Sequence, residues 1–300
     1  MTDTPTDAPI HLPTSGTPAF AWANGMMGVA IFAGSLPATR VAVADMQPLF
    51  LTSARASIAA GLALCLLILL RQPRPRRDDL QALVIVAIGV VLGFPLLTAL
   101  ALQFVTAAHS IVFIGLLPLM TALFGAWRGG ERPSRPFWAF SVFGALTVSG
   151  FALAQGGAGA LQGDVLMLGA IVLCGLGYAE GAKLSKTLGG WQVISWALLL
   201  SAPVMLPLAL WTAPPDLSVI GPAAWVGLAY VSIFSMLIGF VFWYRGLAQG
   251  GTAAVGQLQL LQPFLGLMLA WAILGEPVTP AMIAATIVVI ACVVGAKRWA

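Results

Sequence analysis

A pattern that occurs twice constrains this chain more than any other feature. Leu116-Leu117-Pro118 is followed after eleven residues by Gly130-Glu131 and then Ser134, and Leu261-Gln262-Pro263 after eleven residues by Gly275-Glu276 and then Thr279, each position displaced by 145. Leu102 with Leu247 and Ala108 with Ala253 keep the same offset. In a chain of 300 residues, an offset near half the length points to duplication. What the duplication can build depends on how many times each half crosses a membrane.

That the chain lies in a membrane follows from its composition. It is 60% hydrophobic and 8% charged, with a mean hydropathy of +0.97. A soluble domain carries roughly 25% charged residues and could not hide this much apolar surface. Cys65, Cys174 and Cys292 fall in apolar stretches and give no disulfide framework. Residues 1–18, rich in Thr, Pro and Asp, have neither a basic start nor an apolar run, and are expected to form a disordered cytoplasmic tail.

Beyond the tail the sequence divides into apolar stretches of about 20 residues, the length that crosses a hydrocarbon core of roughly 30 Å as a helix. They lie near 19–43, 48–70, 80–102, 108–127 and 136–154, then near 163–183, 191–211, 222–244, 253–274 and 280–296. The connections between them are short and marked by Pro, Gly and charge. The expected fold is all-α and integral to the membrane: ten transmembrane helices, with repeats over 19–154 and 163–298. The segment 33–40 either ends the first helix early or breaks it within the membrane.

With the N-terminus in the cytoplasm, every Lys and Arg except Arg40 and Arg55 falls on the cytoplasmic side. The positive-inside rule therefore places both termini there. The net charge of +4 then reports topology and contact with anionic lipid, and the expected partners are lipid and a small-molecule substrate, with no nucleic acid. The chain is read as a monomer. Because five is an odd number, the second copy must sit upside down relative to the first. Inverted repeats are a mark of secondary transporters, whose midplane site lies where the repeats meet.

The chain resembles the EamA-type members of the drug/metabolite transporter superfamily. In the first copy the resemblance rests on the Gly28 to Arg40 helix, on Pro48 with Arg55, and on Pro118 followed by Gly130-Glu131. In the second it rests on Gly163-Asp164, on Gly177-Tyr178 to Lys183, and on Pro263 followed by Leu274-Gly275-Glu276-Pro277. One departure is Trp22-Ala23-Asn24-Gly25, where the family usually has Trp-Gly. The resemblance implies a bacterial inner-membrane exporter of small metabolites, with the amino-acid exporters, including those for aromatic amino acids, as the nearest group. A channel or uniporter-like pore and a lipid or amphiphile flippase are the alternatives.

Motif absences narrow the chemistry. No G-x-x-x-x-G-K-[ST], H-E-x-x-H, G-x-S-x-G or G-x-G-D occurs, and His11 and His109 are the only histidines. No enzyme, metal or cofactor is expected. Polar groups inside the spans are costly in lipid and are therefore the candidates. Arg55 lies about 11 Å below the outer end of its helix, where it either holds a substrate carboxylate, gates the mouth, snorkels to the interface, or pairs with Asp45 or a carbonyl. Arg40 is nearer the surface. Glu180 and Lys183, three apart, share a helix face and either neutralise each other or couple transport to protons.

Gln259 and Gln262 share a face that should look into the bundle, while Gln257 points elsewhere. Pro263 and Pro118 each remove a backbone donor at matching depth, and are expected to bend their helices beside the site. Phe94, Phe113 and Tyr178, with Phe32, are candidates for an apolar pocket, and His109 for a gate or substrate contact. Trp127, Trp138, Trp191, Trp211, Trp225, Trp243, Trp271 and Trp299 lie near span ends, which suits interfacial anchoring. Glu131 and Glu276 are read as caps or partners of basic residues in the hairpins.

Overall fold

A computed structural model describes residues 18–129, 134–155, 158–250 and 256–298, and among these the chain is helical throughout, with no strand. The tail expected over residues 1–18 therefore lies almost wholly outside the described residues, as do Glu131 and Trp299. Seven stretches are long and apolar enough to cross a membrane: Ala19–Ala42, Pro48–Leu69, Arg77–Ala101, Ala107–Trp127, Ala160–Ser185, Gly190–Thr212 and Pro222–Gly246. Two shorter apolar helices cover Leu258–Leu274 and Pro280–Gly295.

The first half comprises α1 (Pro18–Ala33), α2 (Ser35–Ala42), α3 (Pro48–Leu69), α4 (Leu80–Val86), α5 (Phe94–Ala101), α6 (Ala107–Ile114), α7 (Leu117–Gly129) and α8 (Arg135–Gln155). The second comprises α9 (Ala158–Leu188), α10 (Gly190–Thr212), α11 (Pro222–Ala229), α12 (Gly239–Gly250), α13 (Gln262–Leu274) and α14 (Pro280–Arg298). Proline opens α3 and α11, where its missing N–H costs nothing. Gly275, at φ 64°, closes α13 in the left-handed conformation that glycine adopts without penalty.

Several stretches read as single helices are interrupted. A π-helical segment, Ala87–Gly93, joins α4 to α5, and another, Tyr230–Ile238, joins α11 to α12. Their positions in the two halves nearly coincide under the 145-residue offset. The first leads into Pro95, which has no N–H to continue the α-helical ladder, so the wider turn absorbs a missing bond. The first span breaks at Gly34. A methyl group there would overlap the hydroxyl of Tyr230, which reaches into the break and donates to the Ile31 carbonyl at 2.8 Å.

The packing repeats as the sequence does. α3 packs on α10 and α8 on α14, each pair joining equivalent helices of the two halves. α1 packs on α12, as α9 packs on α4, the π segment and α5; α7 packs on α9, as α13 packs on α1. Exchanging the halves maps each of these contacts onto itself or onto another. Large apolar side chains are exposed along the flanks, among them Ile68, Leu69, Leu210 and Trp211, a surface suited to lipid and not to water. Trp243 departs from the expected interfacial belt. It is only 6% exposed and packs edge-on against Phe32, with ring centroids 6.4 Å apart, because its helix α12 is pressed against α1.

α9 approaches the first π segment so closely that a methyl group on Gly89 would overlap the Leu173 carbonyl oxygen. Gly89→Ala should therefore lower stability by about 1–3 kcal/mol, as overpacking does. Gly61 has open space around its Cα, and Gly61→Ala should raise stability by up to about 1 kcal/mol through helix propensity. Unfolding of the two variants in detergent micelles, measured side by side, checks both signs.

Candidate functional site

The interruptions converge on one cavity. Part of the lining comes in pairs from the two halves at the 145-residue offset, Val90 with Ser235, Pro95 with Phe240 and Leu117 with Gln262, while Phe32, Phe94 and Tyr178 have no counterpart in it at that offset. Val90 and Ser235 belong to the two π segments; Leu117 and Gln262 each begin a helix, α7 and α13. The aromatic wall is interlocked: Phe32 meets Phe240 edge-on at 5.0 Å, and Tyr178 meets Phe240 at 6.2 Å.

Polar groups in this lining are few and incompletely paired. Ser35 and Ser235 join their hydroxyls at 2.6 Å across the two halves. Gln262 is 7% exposed, and its side-chain oxygen Oε1 has no hydrogen-bond partner. Arg55, from α3, is 4% exposed. Its Nη2 donates to the Val231 carbonyl of the second π segment at 3.3 Å, and its Nε has no partner.

Of the residues singled out from the sequence, the cavity brings together Gln262, Tyr178, Phe94 and Arg55, along with Phe32. Gln259 lies one turn earlier, in a 3-10 segment over Gly256–Leu261, with a buried Nε2 lacking a partner, but it is not part of the lining. Pro263 and Pro118 stand at equivalent places in their helices. Each sits second in a new helix, after that 3-10 segment in one half and after a break at Gly115-Leu116 in the other. Proline is tolerated at such a start because no intrahelical donor is needed there.

His109 and Phe113 lie elsewhere. His109 Nε2 is 2.5 Å from Asp164 Oδ1, and its ring packs between Phe113 at 5.7 Å and Phe151 at 4.9 Å, where Phe113 is fully buried. Nearby, Glu276 reaches from the second half to the start of α6 and accepts from the N–H groups of Ala107 and Ala108 at 3.1 and 2.7 Å. A carboxylate there satisfies unpaired helix donors and meets the positive end of the helix dipole. Arg40 donates to the Leu102 carbonyl and places Nε 4.0 Å from Glu276, so it belongs to this end of the bundle. Asp45 accepts from the Gly221 N–H at 2.9 Å, and among the described residues no ion pair joins it to Arg55. Glu180 is buried while Lys183 is exposed, so the shared helix face does not give them a shared environment.

Sequence reasoning missed Ser35, Ser235, Phe240 and the pairing of Asp164 with His109. Applying the repeat offset to Phe94 would have led to the Gly239-Phe240 pair.

His109 and Asp164 hold α6 to α9. Removing either side chain leaves the other buried and short of a partner, at a cost of about 1–3 kcal/mol. The double replacement His109→Ala with Asp164→Ala should cost less than the sum of the single ones. A double-mutant cycle of unfolding free energies in micelles measures this.

Comparison with known proteins adds ancestry to this geometry. The profile of the EamA-like transporter family matches the chain twice, over residues 20–153 and 161–296. The chain is 65% identical over 279 residues to the uncharacterized transporter YdeK of Bacillus subtilis (strain 168), covering 93% of this chain and 97% of that one. It is 24% identical over 249 residues to an uncharacterized transporter of Archaeoglobus fulgidus, covering 82% and 86%. A solved structure described as "Crystal structure of protein" has the same fold, with a TM-score of 0.65 at 17% identity over 93% of this chain and 99% of that one. The chain, a multi-pass membrane protein, belongs to the EamA-like transporter family.

Proposed function

We propose that the chain is a secondary transporter that exports small amphipathic metabolites, with amino acids, aromatic or hydrophobic ones included, as its substrates. The observation that carries this reading is the paired lining of the cavity by equivalent positions of the two halves. In this proposal ten helices cross the cell (inner) membrane as two inverted five-helix repeats, 19–154 and 163–298, with both termini in the cytoplasm. The distribution of Lys and Arg supports that orientation.

Alternating access needs each end of the cavity to open while the other stays shut. In the proposed orientation, the outer end is tied by Glu276 to the start of α6, by Arg40 and by the His109–Asp164 pair. The inner end is tied by weaker amide contacts: Asn24 donates to Gln249, and Gln192 to Gln72, each at 3.0 Å. Symmetric halves let the two conformations be near-equivalent, and the interrupted helices supply the places where the backbone changes course. The aromatic wall suits an apolar side chain, and the polar groups opposite suit a charged or hydrogen-bonding head.

Purified protein in liposomes, preloaded with unlabelled leucine or phenylalanine, should accumulate the labelled amino acid by counter-flow. Phe240→Ala should weaken that substrate's apparent affinity by about 5–30-fold, equivalent to roughly 1–2 kcal/mol. Absence of counter-flow with any amino acid or sugar would sink the carrier reading. Steady ionic conductance would point to a pore, and movement of labelled lipid to a flippase.

A further inference from the structure

The charge on Arg55 is not accounted for by the protein around it. A guanidinium keeps its charge at neutral pH and offers five N–H donors. Here it is buried in a wall otherwise made largely of aromatic and aliphatic groups, where an unpaired charge costs several kcal/mol. Among the described residues no carboxylate lies within 4.0 Å of it. Among the described residues its acceptor is the Val231 carbonyl at 3.3 Å, and its Nε has no hydrogen-bond partner. Arg40 makes the contrast: it is partly exposed and has Glu276 beside it.

We infer that Arg55 is the anion-binding group of the cavity, and that it selects substrates carrying a carboxylate. This rests on the cavity being the transport site, as proposed above. The Val231 carbonyl holds one arm of the guanidinium, which leaves Nε, and donors beside it, to take a carboxylate in the fork geometry that arginine favours. Gln262 Oε1, an acceptor without a donor in the same lining, takes a hydrogen bond from the ligand's ammonium. The aromatic residues then receive the side chain. The ligand class is a zwitterionic or anionic carboxylate with an apolar tail; an amine without a carboxylate would place a second positive charge beside Arg55.

The test is direct binding to detergent-purified protein, read by thermal shift and by titration calorimetry. The probes are leucine and phenylalanine, their amides, 3-phenylpropionate and phenethylamine. Leucine, phenylalanine and 3-phenylpropionate should bind, and the amides and phenethylamine should bind at least 30-fold more weakly. Arg55→Gln should abolish the difference by weakening the carboxylates alone, and Arg55→Lys should restore part of it. A merely structural Arg55 would lower the melting temperature of Arg55→Gln without changing the order of the probes. The inference is overturned if the amides bind as well as the acids, if no carboxylate binds, or if Arg55→Gln keeps the wild-type affinity for phenylalanine. Should Arg55→Gln fail to fold, the ranking of probes on the wild-type protein decides alone. Because binding is read without flux, carboxylate selectivity without counter-flow would fault the transport reading only. Counter-flow confined to amines or sugars would fault this inference and the amino-acid substrate, and would leave the carrier reading standing.

Discussion

In hydrocarbon, a backbone N–H or C=O without a partner costs several kcal/mol, so a helix can be interrupted only where protein covers the interruption. The architecture of this chain depends on that constraint. Its interruptions at Gly34, at the two π segments, at Gly115-Leu116 and at the 3-10 turn before Gln262 all contribute to or adjoin the walls of the same cavity. Tyr230 shows how one is sealed. Standing at the start of one π segment, it donates its hydroxyl to the Ile31 carbonyl beside the break at Gly34, so one irregularity stabilises another. Helix breaks are thus shared between the halves, and so is the cavity.

The ends of the bundle are held differently from its middle. Around the start of α6, a carboxylate from the second half caps a helix of the first, and a second pair, His109 with Asp164, joins α6 to α9. The opposite contacts, Asn24 with Gln249 and Gln72 with Gln192, join uncharged amides. Hydrogen bonds involving charged groups are about twice as strong as neutral ones. Among the described residues these charged contacts lie at the end carrying Glu276, and in the proposed carrier opening that end requires the helix dipole of α6 to lose its counter-charge.

The duplication and the helical, membrane-embedded character were legible in the sequence because both are written in long-range periodicity and apolar length, which survive without knowledge of packing. The cavity was legible in part. Gln262, Tyr178 and Phe94 stood out as polar or aromatic residues near span middles, and Arg55 as a charge too deep to ignore. His109 and Phe113 stood out for the same reasons, yet pack against Asp164 and Phe151. Depth along a helix is readable from residue number, but the direction a side chain faces depends on the local winding. A π segment or a 3-10 turn shifts that direction, and apart from Pro95 little in the sequence announces one.

The paired lining also shows where the two halves have ceased to be copies. At the 145-residue offset Leu117 matches Gln262 and Val90 matches Ser235, and in both pairs the second half supplies the polar member, while Pro95 matches Phe240. Arg55 reverses the pattern: its counterpart at the 145-residue offset is Leu200, which is 38% exposed and lies outside the cavity lining. For the proposed carrier, two demands separate here. Exchange of conformations requires only that the backbones of the halves be alike, because it is the helix paths and their interruptions that must trade places. Orienting one small, chemically asymmetric ligand requires the side chains to differ. Divergence confined to side chains meets the second demand without disturbing the first, and it leaves a cation from one half facing acceptors and hydroxyls from the other.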